Sequence, residues 1–521
     1  MKKILLSLSL LTIAQVYPQA AGSLDATFGT GGKVLTTVNG IARAQGMVLQ
    51  SNGKIIVAGY TYSEVSGNDF ICIRYNTDGS LDNTFGNNGI ATFDLQVGSD
   101  DKALAVDIDA SGKIILAGYC DNGTNKDGAV IKLNTDGSLD TTFGTSGKAL
   151  TDFATIDFPT RQDEFRTVKV HQLTGNIIVG GTSFTATNNS KPIFAKYTAN
   201  GSLDTTFSTD GKVPGLPNPI VGWTFLFSIE DLAVKSNGKI TAVGYVKPTT
   251  GATFYYSDNY ICRLGADGLL DDTFDQDGYD SFLFATSDNT AQSIILNPDD
   301  SFYFGGHHGW NDNQTNLHIG LTNATASNTD YMTYEFWENA QPRCFALAKD
   351  ANGKFIFAGS ITDYASGDTA FLVNRINADY SIDSNFGTGG YAATDFDGSL
   401  QNEAFDMKIQ PDGKIILAGF SGNKVALARY TGVGTVGIDD FTAENAIKLY
   451  PNPATDHITL QLAQTSPDNL AYFIADVNGR IITSGNLQSS KNNTISTQQL
   501  ESGVYFINLE GKAKNLKFIK N

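Results

Sequence analysis

Three groups of residues in this 521-residue chain have types and spacings that could do chemistry. The first is a cluster of aromatics and histidines: His307, His308 and Trp310 with Asp312 just behind, Tyr255 in the run Phe254-Tyr255-Tyr256, and Trp223 upstream. Aromatic faces beside amide and carboxylate groups can stack on a sugar ring or a peptide side chain, so these six are the candidate ligand-binding residues. A zinc site at the histidine pair is the weaker reading of the same residues. The second group is three carboxylate pairs, Asp100 with Asp101, Glu230 with Asp231, and Glu403 with Asp406, each opening a strand in a different repeat. Glycosidases divide acid and base roles between such pairs, although acidic residues near solvent are more often merely solvated. The third is a recurring N-x-D-G-x-x-D spacing, whose alternating oxygens suit a calcium loop. Its first oxygen position decays from Asn76 and Asn134 to Thr198 and Gly265, while Asp78, Asp136, Asn200, Asp267 and Asp379 persist where a turn needs them. What is kept is turn chemistry, so no metal and no cofactor is expected. A phosphate loop, a Cys-x-x-Cys pair, a nucleophile elbow and a His-Glu-x-x-His helix are all missing from the sequence, which is read as that of a non-enzyme.

These residues sit on a repeat, and the repeat dictates how they can be positioned. A turn pair followed by an apolar run ending in Gly occurs at Asn52-Gly53, Ser111-Gly112, Thr174-Gly175, Asn237-Gly238, Asp299-Asp300, Asn352-Gly353 and Asp412-Gly413. The tight hairpin these pairs imply needs φ > 0, which explains the Asn, Asp and Gly. A second signature, GSLDxTF, starts at Gly22, Gly79, Gly137 and Gly201, then degenerates to GLLDDTF at Gly268 and YSIDSNF at Tyr380. Unit five lacks it and carries NATASNTDYMTYEFW, residues 323–337, instead. Apolar positions alternate or cluster over five to seven residues throughout, which predicts four antiparallel strands per unit: in the first, residues 44–50, 54–60, 69–75 and 89–95. The aromatics Phe28, Phe85, Phe143, Phe207, Phe274 and Phe386 are expected as wedges between neighbouring units, with Trp337 filling that place in unit five.

Seven hairpins make seven units, yet the last ends at Tyr430 with no GSLD segment, while residues 22–38 are a GSLD segment with no strands before it. The chain is therefore expected to be all-β, a seven-bladed β-propeller over residues 22–432 whose N-terminal outer strand, residues 33–38, pairs with residues 424–430 and closes the ring. GSLDxTFG near every sixty residues, with NGKIIxAG between, resembles the bacterial delta-60 repeat family, whose repeats form propeller blades of largely unassigned function. In such a ring the links from second to third strand (residues 61–68, 183–190, 246–258 and 307–316 among them) share a face with the links between blades. They vary while the opposite face repeats, so recognition is expected there.

After a linker over residues 433–446 the pattern changes to short alternating runs that predict a small immunoglobulin-like β-sandwich over residues 447–521. Tyr450-Pro451-Asn452-Pro453, Asp476 with Gly479 and Arg480, Gly503 with Tyr505, and the basic end from Lys517 to Lys520 resemble the type A carboxyl-terminal sorting domain of the type IX secretion system of Bacteroidota. That resemblance implies a partner, the type IX machinery, and an address, secreted or on the outer-membrane surface of a Gram-negative cell. Residues 1–21 read as a signal peptide; their apolar run is too short to span a membrane, so no transmembrane segment is expected in the mature chain. A formal net charge of −18 argues against nucleic acid as a partner. Cys72, Cys120, Cys262 and Cys344 fall in separate units and are expected as buried thiols. Together these readings predict a monomeric, non-catalytic propeller that binds a glycan, a peptide or an envelope protein through its variable-loop face; the alternative is a polysaccharide-active glycosidase or lyase. Truncation at Asp440 should leave the propeller folded but held in the periplasm, as cell fractionation would read; normal surface delivery would refute the sorting role.

Overall fold

The computed structural model describes residues 20–154, 160–186, 189–220, 223–250, 256–282, 287–310, 314–335, 340–396, 398–432, 448–461, 471–476, 481–488, 490–500, 502–509 and 516–520. The chain divides into two compact units, Met1–Thr435 and Val436–Asn521. Residues 1–19, within the expected signal peptide, and the expected linker over residues 433–446 lie outside the described residues.

The first unit is a seven-bladed β-propeller of seven four-stranded antiparallel sheets. Blade one is made of Ile41–Leu49, Ile55–Ser63, Gly67–Tyr75 and Ile90–Phe93, in that order from the axis outward. Blades two to six repeat the order from their inner strands Asp101–Ile108, Gln162–Val170, Phe225–Val234, Ser287–Leu296 and Ala340–Lys349. Blade seven has Asn402–Ile409, Ile415–Ser421 and Lys424–Tyr430 from the end of the repeats, and takes its fourth strand, Lys33–Thr36, from the start. Lys33 pairs with Ala428 and Thr36 with Val425, which is the closure expected from the orphan GSLD segment.

The second and third strands run further than the alternation of apolar residues suggested. The link predicted over residues 307–316 is mostly strand, Phe302–Trp310 pairing with Gln314–Thr322, and residues 183–190 are likewise largely inside Ile177–Ala186 and Asn189–Tyr197. Ladder hydrogen bonds continue past the packed core, where polar side chains no longer alternate with apolar ones.

Each GSLD segment does two jobs. Its Asp folds back on the turn, as Asp82 does in accepting from Thr84 N at 3.1 Å and Thr84 Oγ1 at 2.7 Å. The other carboxylate oxygen of Asp82 meets Lys54 Nζ, from the hairpin, and Arg74 Nε, from the third strand, both at 2.6 Å. Asp383 repeats this with Lys354 and Arg375, each at 2.7 Å, and Asp25 with Lys414 at 3.1 Å and Arg429 at 2.8 Å. Asp140 and Asp271 keep the hairpin lysine, at 2.7 and 2.8 Å. In blade three the hairpin position is Asn176, and Lys196 from the third strand supplies the cation at 3.1 Å.

The third-strand cation also reaches the next blade. Arg429 donates to Thr77 O at 2.6 Å, Lys196 to Ala266 O at 3.2 Å and Arg74 to Thr135 O. On the way it covers the wedge aromatic: Arg429 lies 4.4 Å from the centre of Phe28, Arg74 and Arg375 each 4.6 Å from Phe85 and Phe386, and Arg263 4.7 Å from Phe274. The six Phe are all but fully buried in cores shared by adjacent blades, Phe85 for instance among Ile56 and Phe70 of blade one and Ile114 and Leu116 of blade two.

The wedge explains a glycine. Gly79 has φ 87°, and a Cβ there would lie 2.9 Å from Phe28 Cε2, so both conformation and space exclude a side chain. Blade five has no Phe wedge, and the glycine position that would have faced it, in blade six, is Tyr380 at φ 65°. Tyr334 packs there in its stead, donating from its hydroxyl to Tyr380 O at 3.1 Å, while the Tyr380 ring stacks on Phe355 at 5.7 Å. Trp337, expected in that place, lies outside the described residues. All four Cys are buried and unpaired, and burial pushes their thiols up.

The second unit has two sheets. Lys448–Tyr450, His457–Gln461 and Asn492–Ser496 form one; Ala471–Asp476, Ile481–Asn486, Gly503–Leu509 and Leu516–Lys520 form the other. Ile458, Leu460, Ile474, Ile507 and Phe518 fill the core between them. Asn452 ties the Tyr450-to-Pro453 motif to the last strand, donating to Lys517 O at 3.1 Å and accepting from Ile519 N at 2.9 Å, and Tyr505 stacks on Phe518 at 5.7 Å. Gly479 and Arg480 lie outside the described residues.

Removing residues 22–38 should abolish the single cooperative thermal transition, and Asp25→Ala, which strands Arg429 beside a lost partner, should cost about 3–5 kcal/mol in urea unfolding. Unchanged melting in either would separate closure from stability. The same carboxylates set an acid limit. Asp25 is held at about 2 against an ordinary 3.8: burial would raise it, but hydrogen bonds from Thr27 and Lys414 and the charge of Arg429 outweigh that. Hydrogen bonds from Lys113 and Thr142 likewise hold Asp140 at about 2. A carboxyl depressed on folding contributes stability above its unfolded value and loses it as pH falls toward the folded one. This contribution should therefore be complete above about pH 5 and be lost between about pH 4 and 2, so the melting temperature of Asp25→Asn should fall less over that interval than that of the unaltered chain.

Candidate functional site

Every inner strand carries a β-bulge at the same height, skipping Gln45, Leu104, Arg166, Glu230, Gln292, Phe345 and Phe405 in blades one to seven. Bulges bend a strand and re-aim its side chains. Below the bulges, toward the hairpin face, an axial cavity of about 400 Å³ is lined by segments of all seven inner strands. Its wall is cross-linked by charge: Lys169 Nζ meets Asp231 at 3.3 Å, Lys408 meets Asp406 at 2.6 Å, and Asp406 accepts from Met47 N of the next blade at 2.7 Å. Asp107 likewise accepts from Val170 N at 2.7 Å.

Above the bulges lies the mouth of the channel, on the variable-loop face. The residue two before each bulge is Arg43, Lys102, Glu164, Ser228, Thr290, Arg343 or Glu403, and the residue paired with it on the second strand is Tyr60, Tyr119, Thr182, Tyr245, His307, Ser360 or Phe420. These side chains touch around the axis in two arcs. The first is charged and phenolic. Lys102 Nζ lies 4.8 Å from the Tyr60 ring centre, Lys126 Nζ 4.0 Å from Tyr119 and 2.8 Å from Glu164, and Arg166 lies 3.5 Å from Glu164 and 3.6 Å from Glu230. The charge of Glu230 raises the Arg166 guanidinium further despite its burial. Burial, and then the charge of Asp100, pushes the Tyr119 hydroxyl up; it donates to Asp100 at 3.0 Å. The second arc is aromatic: His307 to Phe345 at 6.4 Å, Phe345 to Phe405 at 5.0 Å, Phe405 to Phe420 at 6.0 Å, with the Arg43 guanidinium 3.5 Å over Phe420.

Of the six residues singled out in the sequence, His307 lies in this mouth, half-buried, its ring nitrogens 3.2 Å from Thr290 Oγ1. It is on a strand, not in an exposed loop, because the ladder continues to Trp310. His308 faces the other side of the same strand, buried against Ser287 and Asn289. Trp223 stacks on Phe225 at 6.1 Å, beside the core shared by blades three and four. The side chain of Trp310, and Tyr255 and Asp312 entirely, lie outside the described residues. His318 is fully buried against Tyr331 at 4.9 Å. Among the carboxylate pairs, Glu230 and Glu403 belong to the mouth and Asp231 and Asp406 to the cavity wall. Asp101 is fully buried, accepting from Leu95 N and Ser99 Oγ, both at 2.7 Å. Arg43, Tyr60, Lys102, Tyr119, Glu164, Arg166, Tyr245, Arg343, Phe345, Phe405 and Phe420 went unmarked in the sequence. For Tyr60, Tyr119, Tyr245 and Phe420 a signal was there: each directly follows an apolar run's terminal Gly, a position that takes Tyr, Thr, His, Ser or Phe while the run stays apolar.

Residues 448–521 match the family described as secretion system C-terminal sorting domain. Residues 50–85, 110–143, 172–207, 235–274 and 410–436 match DUF5122, a β-propeller domain of unknown function. Among solved structures the chain is similar to the polysaccharide lyase Uly1, at 13% identity over 80% of this chain and 94% of that one, with a TM-score of 0.43. It is similar to a catalytically inactive virginiamycin B lyase from Staphylococcus aureus with quinupristin, at 13% identity over 76% and 98% of the two chains and a TM-score of 0.41. A third likeness is the β-propeller domain of the trilobed protease of Pyrococcus furiosus, at 9% identity over 76% and 95%, with a TM-score of 0.35. No curated protein matches the chain.

Burial, then the neighbouring Arg343, holds the His307 imidazolium down to about 4 against an ordinary 6.5. Its ring resonance should accordingly titrate near pH 4 by NMR; a midpoint near 6.5 would place the ring in water and outside the aromatic arc.

Proposed function

We propose that this chain, a propeller of DUF5122 repeats carrying a secretion system C-terminal sorting domain and therefore bound for the cell surface or the medium of a Gram-negative bacterium, works there as a non-catalytic, monomeric carbohydrate-binding protein. In this reading residues 1–21 act as its signal peptide, and the ligand enters the channel mouth on the variable-loop face. The observation that carries the reading is the broken symmetry of the mouth. Where the repeat has structural work to do, at the hairpins, the Asp clamps and the Phe wedges, the blades keep their residues. At the two rings of seven equivalent mouth positions they differ almost blade by blade, and with the bulge residues the result is mixed: Lys102, Glu164 and the phenols of Tyr60, Tyr119 and Tyr245 across blades one to four, and the rings of His307, Phe345, Phe405 and Phe420 beside Arg343 and Glu403 across blades five to seven. A sugar offers the matching pair of faces, C–H bonds for the rings and hydroxyls or a carboxylate for Arg43, Lys102 and Arg166.

Catalysis is the lesser reading because two of the mouth carboxylates are engaged: Glu164 meets Lys126 and Arg166, and Glu230 meets Arg166 and Ser228. Glycan and peptide arrays probed with the purified chain should return a saccharide; Arg43→Ala with Phe405→Ala should then weaken binding at least about tenfold, roughly one strong hot spot, with the melting temperature unchanged. Full binding in that double variant would remove the mouth as the site, peptide-only hits would replace the ligand class, and cleavage of the retained saccharide would favour the enzyme.

A further inference from the structure

Where blade two meets blade three, Asp127 from the third strand of blade two, Asp152 just past the outer strand Lys148–Thr151, and Asp163 on the inner strand of blade three converge. One carboxylate oxygen of each lies within 4.8 Å of the others. Three carboxylates so close repel one another unless something neutralises them. Asp163 is fully buried; its Oδ2 accepts from Phe153 N at 2.8 Å, and its Oδ1 has no partner among the described residues. A buried carboxylate oxygen left without a donor is a large cost in an otherwise satisfied core. The cationic side chain at hand, Arg161, lends its charge to Asp163 and Asp152, while one of its nitrogens reaches Pro214 O at 2.8 Å and Ser183 Oγ at 3.4 Å.

The remaining oxygens are held in place, not consumed. Asp127 accepts from Asn122 Nδ2 at 3.0 Å and Asn125 Nδ2 at 3.2 Å, and Asp152 from Ala154 N at 2.7 Å. Burial first, helped by the charge of Asp152, holds the Asp163 carboxyl up at about 6 against the lowering by hydrogen bonds from Ser183 and Phe153 and by the charge of Arg161.

The same three positions exist at the previous boundary as Asp69, Asp94 and Asp101. There Asp101 has both oxygens filled by Leu95 N and Ser99 Oγ. At the boundary of blades six and seven Asp395 remains, but Asn402 replaces the inner-strand acid and Ala370 the third-strand one. Asp69 Oδ1 is buried without a partner at that earlier boundary too, but among the described residues three carboxylates converge within 4.8 Å only where blade two meets blade three.

We propose that Asp127, Asp152 and Asp163 bind a calcium ion that joins blades two and three. All three donors are hard carboxylate oxygens, and water can complete the six to eight ligands calcium accepts in irregular geometry. The site is separate from the channel mouth and does not depend on what binds there.

The full chain, stripped with EDTA and dialysed, should bind one calcium per chain by isothermal titration with a Kd on the order of 10⁻⁴ M, the range of extracellular modules, and calcium but not equal ionic strength of KCl should raise its melting temperature. Asp152→Asn, at an exposed residue, should weaken binding at least about tenfold. Asp163→Asn should abolish the calcium-dependent rise while raising the melting temperature in EDTA, since the amide can sit buried without a counter-charge. Absence of saturable binding in the unaltered chain, binding unchanged in both variants, or an equal rise with magnesium would overturn the assignment.

Discussion

The structure depends on one carboxylate repeated in six of seven blades, the Asp of the GSLD segment. It caps its own turn, neutralises the hairpin lysine where there is one, and in blades one, three, six and seven fixes the third-strand cation that reaches across to the next blade. A propeller blade has few contacts except with its neighbours, so stability lies in the boundaries. Here five of the seven boundaries set a wedge aromatic against the glycine of the next blade, with a charge beside it. The cation is both the partner of the Asp and the lid of the Phe, and the glycine of the next blade is empty because the Phe is there. Blade five shows the coupling by its absence. Without Asp, cation and Phe, the glycine constraint lapses too, and Tyr380 takes its place with the same left-handed backbone.

Putting this work on the hairpin face leaves the opposite face without structural duties. The inner strands start there, and above the bulges their side chains meet across the axis instead of across a blade boundary. Residues at those positions answer to a ligand or to each other, not to the repeat, which is why seven equivalent positions hold Arg, Lys, Glu, Ser, Thr, Arg and Glu in turn.

A chain of net charge −18 also has to manage acid groups near its axis. It does so mostly with local cations: Lys169 and Lys408 in the cavity wall, Lys126 and Arg166 at the mouth. Against that background the trio at the boundary of blades two and three stands out among the described residues, because three carboxylates converge there and one of them, Asp163, is buried with an oxygen unanswered.

The ring, its blade number, its closure by residues 33–36 and the sorting module were legible in the sequence, since each rests on local signals: turn pairs that require φ > 0, alternation, and a GSLD segment surplus at one end and missing at the other. The two short turn lysine and third-strand arginine partners of the Asp were not, because they come from 28 and 8 residues away and only strand pairing brings them to one point. The site was read only in part. His307 was found as a residue type, but it was taken with His308, its neighbour in sequence, and the strand turns successive side chains to opposite faces, sending one to the channel and the other into the blade. The mouth itself joins residues one blade apart, some sixty positions along the chain, and the acidic trio joins a third strand, an outer strand and the next inner strand. Composition and spacing determine what each blade must be; which side chains face each other across a boundary or an axis is decided by the angle at which whole blades pack, and that exists only in the folded ring.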